Sequence, residues 1–330
     1  MTELAIPERI VLCYPVEASH ISSIQSVAPG STIIDAGQEN IAKEILDADI
    51  YCGHAKVPVP WEDVVKKDRL QWIQSSAAGL DHCLSPAVIQ SNITVTSASG
   101  VLSNQVAEHA IGLAIACTRR LPLFFKQQQH QEFVRRPTRD LTGSTVGIVG
   151  FGGVGRRLAD VLRPFNTRIL ATDWFPSNKP DYVEFLGPPS SLCKLLANAD
   201  IVFLCVPLTR ETQGMINAST LAQMKKGSIL VNMARGKLVI EDALVDALES
   251  NHLDSAALDV TPEEPLPRHN RLWTAPNLLI TPHVAGQSGN RIDAMTQFFC
   301  DNIIRFLHNK TLKNLVDKQL GFPQQDEQRT

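Results

Sequence analysis

The stretch Thr145 to Val161 (TVGIVGFGGVGRRLADV) constrains the fold of this chain more than any other. A buried apolar strand around Val146, Ile148 and Val149 runs into a glycine turn at Gly150, Gly152 and Gly155. A helix pattern follows, with Val154, Leu158 and Val161 on one side. Each glycine meets a different steric demand. Gly150 permits the tight turn, Gly152 lets the backbone approach a pyrophosphate, and Gly155 lets the helix pack close to the strand. The helix N-terminus then faces phosphates with its N–H groups and its positive dipole end. Glycine clusters also mark ordinary loops, so the turn alone is a weak signal. Here a second apolar strand, Thr167 to Thr172, ends in Asp173, 18 residues past Gly155, where a carboxylate accepts hydrogen bonds from an adenosine ribose. Strand, glycines, helix, strand and acid in that order predict a dinucleotide site rather than an unliganded α/β unit.

A chain of 330 residues is expected to form two domains. Its 44% hydrophobic content suffices for real cores. A net charge of −3 without blocks of like charge argues against a nucleic-acid groove or an acidic membrane surface. The longest apolar run, Ala110 to Cys117, is far short of the roughly 20 residues of a membrane span. The opening MTELAIPERI lacks a basic region followed by an apolar core, so it does not read as a secretion signal. Seven cysteines (Cys13, Cys52, Cys83, Cys117, Cys193, Cys205, Cys300) are scattered without CxxC spacing. They read as reduced, structural thiols of a cytoplasmic protein, with no metal site expected.

In the first hundred residues short apolar strands alternate with helical stretches: Arg9–Tyr14, Thr32–Ile34, Ile50–Cys52, Trp72–Gln74 and Ile93–Thr96 are the predicted strands. From Ser103 to Arg120 a helix pattern of near-continuous apolar character, ended by Leu121-Pro122, predicts burial on most sides. The glycine unit opens a second series, with strands at 145–149, 167–172, 201–205, 228–231, 255–258 and 278–281. Helix patterns at Pro189–Ala197, Ala218–Met224 and Glu241–Glu249 separate most of them, and a last helix runs from about Asn290 to His308. The closing PQQDEQRT is polar and expected to fray. The predicted layout is a Rossmann-type, doubly wound parallel α/β sheet at 103–290. It is inserted into a smaller, flavodoxin-like α/β domain formed by 1–102 and 291–330, with a reaction cleft between the two.

Ligands of open parallel sheets sit beyond the carboxyl ends of the strands. Strand 228–231 continues through Asn232-Met233-Ala234 to Arg235-Gly236, strand 255–258 delivers Asp259, and strand 278–281 delivers Pro282-His283. The loop TPEEPLPRHN, with Glu263 and Glu264, lies between the last two. Taken singly, Arg235 reads as a surface ion pair, His283 as a core histidine and Glu264 as a solvated acid. Convergence on one rim beside a dinucleotide favours chemistry instead. Reducing a keto acid requires a cation for the carboxylate, a proton donor for the carbonyl oxygen and a nearby hydride. Arg235 offers a planar fork for the carboxylate, His283 a proton near neutral pH, and Glu264 a partner that orients the imidazole and stabilises its charged form.

These residues identify a likeness. The chain resembles the D-isomer-specific 2-hydroxyacid dehydrogenases over essentially its whole length. The glycine fingerprint with Asp173, ADIVFLCVPLT (199–209) followed by ETQGMIN, VNMARGKLV (231–239), ALDV (257–260), EEPLP (263–267) and PNLLITPHVAG (276–286) occur in family order. The resemblance implies Arg235, Glu264 and His283 as the catalytic set. The five-residue step from Asp259 to Glu264 selects Glu264 over Glu263. It also implies substrate binding by backbone N–H groups of Ala78 and Gly79 in SSAAGLD (75–81), together with Arg235 and His283. For NAD it implies Gly150, Gly152, Gly153, Val154, Gly155 and Asp173 in the first half of the fold. Val206, Pro207, Thr212 and Ala234 join them from later strands, as do Val106 of the VAE segment and Asp259, which holds the nicotinamide amide. The family commonly pairs through the region of the Val106–Cys117 helix, so a homodimer is expected.

Two departures concern pocket shape. Leu102 replaces an asparagine common just upstream of VAE, and Thr261 stands where an aromatic often follows the Asp-Val pair. Glu264 stands where formate-oxidising relatives have glutamine, which argues against that branch, whereas phosphite oxidation shares the Arg–Glu–His set and stays open. The expected activity is NAD-linked interconversion of a small 2-keto acid (glyoxylate, hydroxypyruvate or pyruvate) and its D-2-hydroxy acid. The competing reading is an NAD(H)-sensing, corepressor-like binding protein on the same fold, and the absence of long extra tails speaks against it. A methyltransferase built on a similar glycine turn needs neither Arg235 nor His283. Asp173 repels a 2′-phosphate and Trp174-Phe175 offers no arginine to bind one, so NAD is expected over NADP even with Lys179 nearby.

Overall fold

The computed structural model describes residues 7–323. The opening MTELAI and the tail from Gln324 onward lie outside them. Chain contacts divide the molecule into two compact units, Met1–Leu102 with Ser288–Thr330, and Ser103–Gln287.

In the first unit, β1 (Arg9–Cys13), β2 (Thr32–Asp35), β3 (Ile50–Gly53), β4 (Trp72–Ser75) and β5 (Thr94–Thr96) form a five-stranded sheet ordered β2-β1-β3-β4-β5. All its pairings are parallel. This is the flavodoxin-like winding, with its reversal between β1 and β3. Ile10, Leu12, Ile50, Cys52 and Trp72 fill one apolar cluster of this unit with Phe299 and Ile303 from the Arg291–Leu307 helix. Val11, Tyr51, Ile73 and Val95 point into another. Alternate residues of each strand thus serve opposite faces, as a pleat buried on both sides requires.

The second unit holds β6 (Thr145–Val149), β7 (Arg168–Thr172), β8 (Phe185–Gly187), β9 (Ile201–Leu204), β10 (Ser228–Asn232), β11 (Leu253–Leu258) and β12 (Leu278–Ile280). They are ordered β12-β11-β10-β9-β6-β7-β8 and wholly parallel. The chain starts at β6, winds outward to β8, then crosses to β9 on the other side of β6. The reversal between β6 and β9 opens the crevice where doubly wound sheets bind ligands, and the glycine turn stands at its mouth.

Two local features differ from the sequence reading. β8 was not anticipated, because three residues at a sheet edge leave no periodicity to detect. The helix expected to run to Arg120 spans Ser103–Thr118, and Leu121-Pro122 begins a second helix, Leu121–Gln129. Arg120 turns left-handed (φ 53°) between them, and Pro122 occupies a first-turn position where its missing N–H costs nothing. Within one chain the Ser103–Thr118 helix exposes Asn104, Glu108 and Gly112. Ala107, Ala110, Leu113, Ala114 and Cys117 bury one stripe, while Ile111 and Ile115 are half-buried.

Candidate active site

At the mouth of the crevice, the helix Gly153–Leu162 begins after Gly152 with no side-chain cap. First-turn N–H groups of such a helix have no intrahelical acceptor and remain for a ligand. Gly150 adopts φ +97°, and a Cβ there would lie 2.7 Å from the Cys205 carbonyl at the end of β9. A Cβ on Gly155 would lie 2.1 Å from the Gly150 oxygen, so helix and strand touch through that glycine. A Cβ on Gly152 would meet nothing within 4 Å, so nothing in the protein demands a glycine there. That is the steric signature expected of a backbone kept bare for a phosphate, and it fits a dinucleotide. The helix buries Gly155, Leu158, Ala159 and Leu162, whereas Val154 and Val161 are half-buried at the margins.

Asp173, just past β7, is held by two backbone donors: Phe151 N to Oδ2 (2.6 Å) and Phe175 N to Oδ1 (2.9 Å). The carboxylate is therefore fixed beside the glycine turn before any ribose arrives. Val206 and Pro207 follow β9, and the Thr212 hydroxyl donates to the Pro207 carbonyl (2.7 Å), tying that loop. Val106 packs half-buried against the same core as Ile148 and Phe151. Burial pushes the Cys205 thiol up to about 12, which keeps it protonated and inert at neutral pH.

The polar rim is built on the adjacent ends of β10, β11 and β12. After β10, Ala234 N donates to Asn232 Oδ1 (3.1 Å) and Asn232 Nδ2 to the Arg235 carbonyl (2.9 Å). Arg235 Nη1 donates to the Ala234 carbonyl (2.7 Å). Next comes Gly236, where a Cβ would lie 1.9 Å from the Thr261 carbonyl carbon. The arginine loop and the glutamate loop are thus in backbone contact. Thr261 N donates to Glu264 Oε1 (3.1 Å), which aims Glu264 Oε2 at His283 Nδ1, 2.7 Å away. His283 and Glu264 side chains keep 49% and 39% of their surface exposed, so the pair is open to a ligand. Asp259 differs from both. Its side chain has no exposure, and its oxygens accept from Thr281 Oγ1, Val284 N and Ala285 N.

Arg235, Asp259, Glu264, His283 and the dinucleotide turn therefore belong to one unit and one sheet. Ala78 and Gly79 belong to the other unit, in the loop after β4. There Ser75 Oγ bonds both Ala77 N and Ala77 O, the Ala77 carbonyl accepts from Ala98 N, and Leu80 is buried as an anchor. Ala78 is exposed at the crest.

Comparison with known proteins decides the family. The NAD-binding domain of the D-isomer specific 2-hydroxyacid dehydrogenases matches residues 111–285. The chain belongs to that dehydrogenase family. It is 32% identical over 295 residues to a glyoxylate reductase of Thermofilum pendens, covering 86% of this chain and 85% of the relative. To a glycerate dehydrogenase of Methylorubrum extorquens it is 32% identical over 289 residues, covering 84% and 88%. A crystal structure of a D-isomer specific 2-hydroxyacid dehydrogenase from Xanthobacter autotrophicus, in complex with NADPH and MES, superposes with a TM-score of 0.80. That pair shares 26% identity, with 96% and 100% of the two chains covered. The chain is accordingly an NAD-binding oxidoreductase of the 2-hydroxyacid dehydrogenase class.

Several residues that shape this dehydrogenase's rim carried no assigned role in the sequence reading. Gly236 was legible only as a neighbour of Arg235, and its function depends on a contact with Thr261. Thr281 lies inside the PNLLITPHVAG motif and His109 directly after VAE, but neither motif shows that the two side chains meet. Among the described residues, no group of three or more His, Cys, Asp or Glu is arranged to hold a metal ion. No helix there is long and apolar enough to cross a membrane.

Proposed function

We propose that the protein reduces a small 2-keto acid, of the glyoxylate, hydroxypyruvate or pyruvate type, to the D-2-hydroxy acid. The observation that supports this most is the 2.7 Å His283 Nδ1 to Glu264 Oε2 bond, exposed beyond the ends of β12 and β11, on the same rim as Arg235 after β10. With Nδ1 donating to Glu264, Nε2 is the ring atom left to protonate the carbonyl oxygen. Arg235 grips the substrate carboxylate with its fork. A nicotinamide held beside this rim would supply the hydride. Proton delivery from His283 completes the hydroxyl, and the negative Glu264 stabilises the imidazolium before transfer.

NAD is the proposed cofactor, since Asp173 is pinned by Phe151 N and Phe175 N where a 2′-phosphate would bring like charge. We further propose a homodimer through the helix that starts at Ser103. Its half-buried Ile111 and Ile115 are followed in sequence by the exposed Phe125 and Phe133, and light scattering at the mass of two chains would support it. A cytoplasmic setting is also proposed, from seven scattered cysteines without CxxC spacing.

The deciding experiment is a panel of these keto acids with NADH and with NADPH. Turnover with NADH and a higher kcat/KM than with NADPH is the expected result. NADH binding without turnover of any acid would replace the enzyme with the sensor reading, and equal efficiency with NADPH would overturn the cofactor assignment.

A further inference from the structure

His283 sits on an unusual backbone. Its φ is +54°, a left-handed conformation that residues with a Cβ adopt rarely and keep only where their surroundings over-determine it. The surroundings are Asp259. Its main-chain oxygen accepts from His283 N (2.7 Å), Oδ1 accepts from Val284 N (2.9 Å) and Oδ2 from Ala285 N (2.9 Å). One residue thereby holds three consecutive amides, beginning with that of the histidine. A wholly buried carboxylate is tolerated only when donors saturate it. The remaining donors are Thr281 Oγ1, 2.7 Å from Oδ1, and His109 Nε2, 3.3 Å from Oδ1 and 3.0 Å from the Thr281 oxygen.

The hydroxyl of Thr281 has one proton, and at 2.7 Å that proton belongs to the carboxylate. Its lone pair is then left for the Nε2–H of His109, which reaches in from the Ser103–Thr118 helix. We propose that His109 and Thr281 are positioning residues for His283: they saturate Asp259, which in turn fixes the turn that aims the imidazole. This rests on His283 being the proton donor of the proposed reaction. The role needs only an N–H at the His109 position and an O–H at 281, so Gln and Ser are the conservative replacements and Ala and Val the disruptive ones.

The full-length protein tests this with Thr281→Val and His109→Ala against Thr281→Ser and His109→Gln. Amide exchange of the segment containing Val284 and Ala285 reads the turn without reference to activity. In Thr281→Val and in His109→Ala the protection of those amides is expected to fall about tenfold and kcat about tenfold, with the keto-acid KM within about twofold. Thr281→Ser and His109→Gln are expected to restore both. Wild-type protection and kcat in both disruptive variants would overturn the inference. So would a lowered Tm with a weakened NADH Kd and unchanged kcat, the mark of a merely structural contact. If Thr281→Val does not fold, His109→Ala, where the side chain keeps 22% of its surface exposed, decides alone. Should the wild-type protein turn over no keto acid, the proposed reaction falls, and the exchange data still decide whether the network holds the turn.

Discussion

The glycine turn after β6 and the polar rim after β10, β11 and β12 occupy one sheet and solve placement in opposite ways. At the turn, position is obtained by leaving atoms out. Gly150 and Gly155 let backbone meet backbone, and Gly152 leaves a bare surface that no protein atom fills. At the rim, position is obtained by adding bonds, with Thr261 N on Glu264, Glu264 on His283, and Asp259 under the amides after it. Gly236 is the exception that joins the two styles, because it lets the bonded loops come into contact. A site that must accept a large ligand keeps its walls bare. A site that must aim a small group surrounds it with donors.

Three substitutions test that contrast, in order of expected effect. His283→Ala removes only the aimed group, and kcat should fall about 10²–10⁴-fold while the NADH Kd stays within about twofold. Turnover at the wild-type rate would take the histidine out of the reaction and leave the rim without a purpose. Gly236→Ala drives a Cβ to within 1.9 Å of the Thr261 carbonyl carbon, a clash against backbone that no rotamer relieves. A loss of about 3 kcal/mol in urea unfolding is expected. Wild-type stability would mean that the two loops separate at little cost. Gly152→Ala is the counterpart at the turn. Its Cβ meets no protein atom, so stability should hold within about 0.5 kcal/mol while the NADH Kd weakens about tenfold, near 1.4 kcal/mol. The reverse pattern, a destabilised protein with unchanged NADH affinity, would show that the glycine serves the fold and not the ligand.

The same contrast explains what could be read from residues alone. Steric need is local: a glycine that must lack a side chain announces itself in GFGGVG, and each anticipated strand of the second unit lies within two residues of its observed bounds. Asp173, Arg235, Glu264 and His283 were visible because each follows a strand end and stands in a spaced motif. Bonding need is not local. His109 and Thr281 are 172 residues apart in the chain, and nothing in either neighbourhood announces the other. The edge strand β8 and the helix Leu121–Gln129 escaped for a different reason. The first is too short to show a period, and the second opens with a proline that looks like an ending.

The abutment at Gly236 has a mechanical consequence. With no side chain between the two main chains to act as a cushion, a shift of the guanidinium-bearing segment is transmitted directly to the peptide that steadies the carboxyl partner of the imidazole. Arg235, Glu264 and His283 are then mechanically coupled, and a disturbance applied at any one of them is felt by the other two.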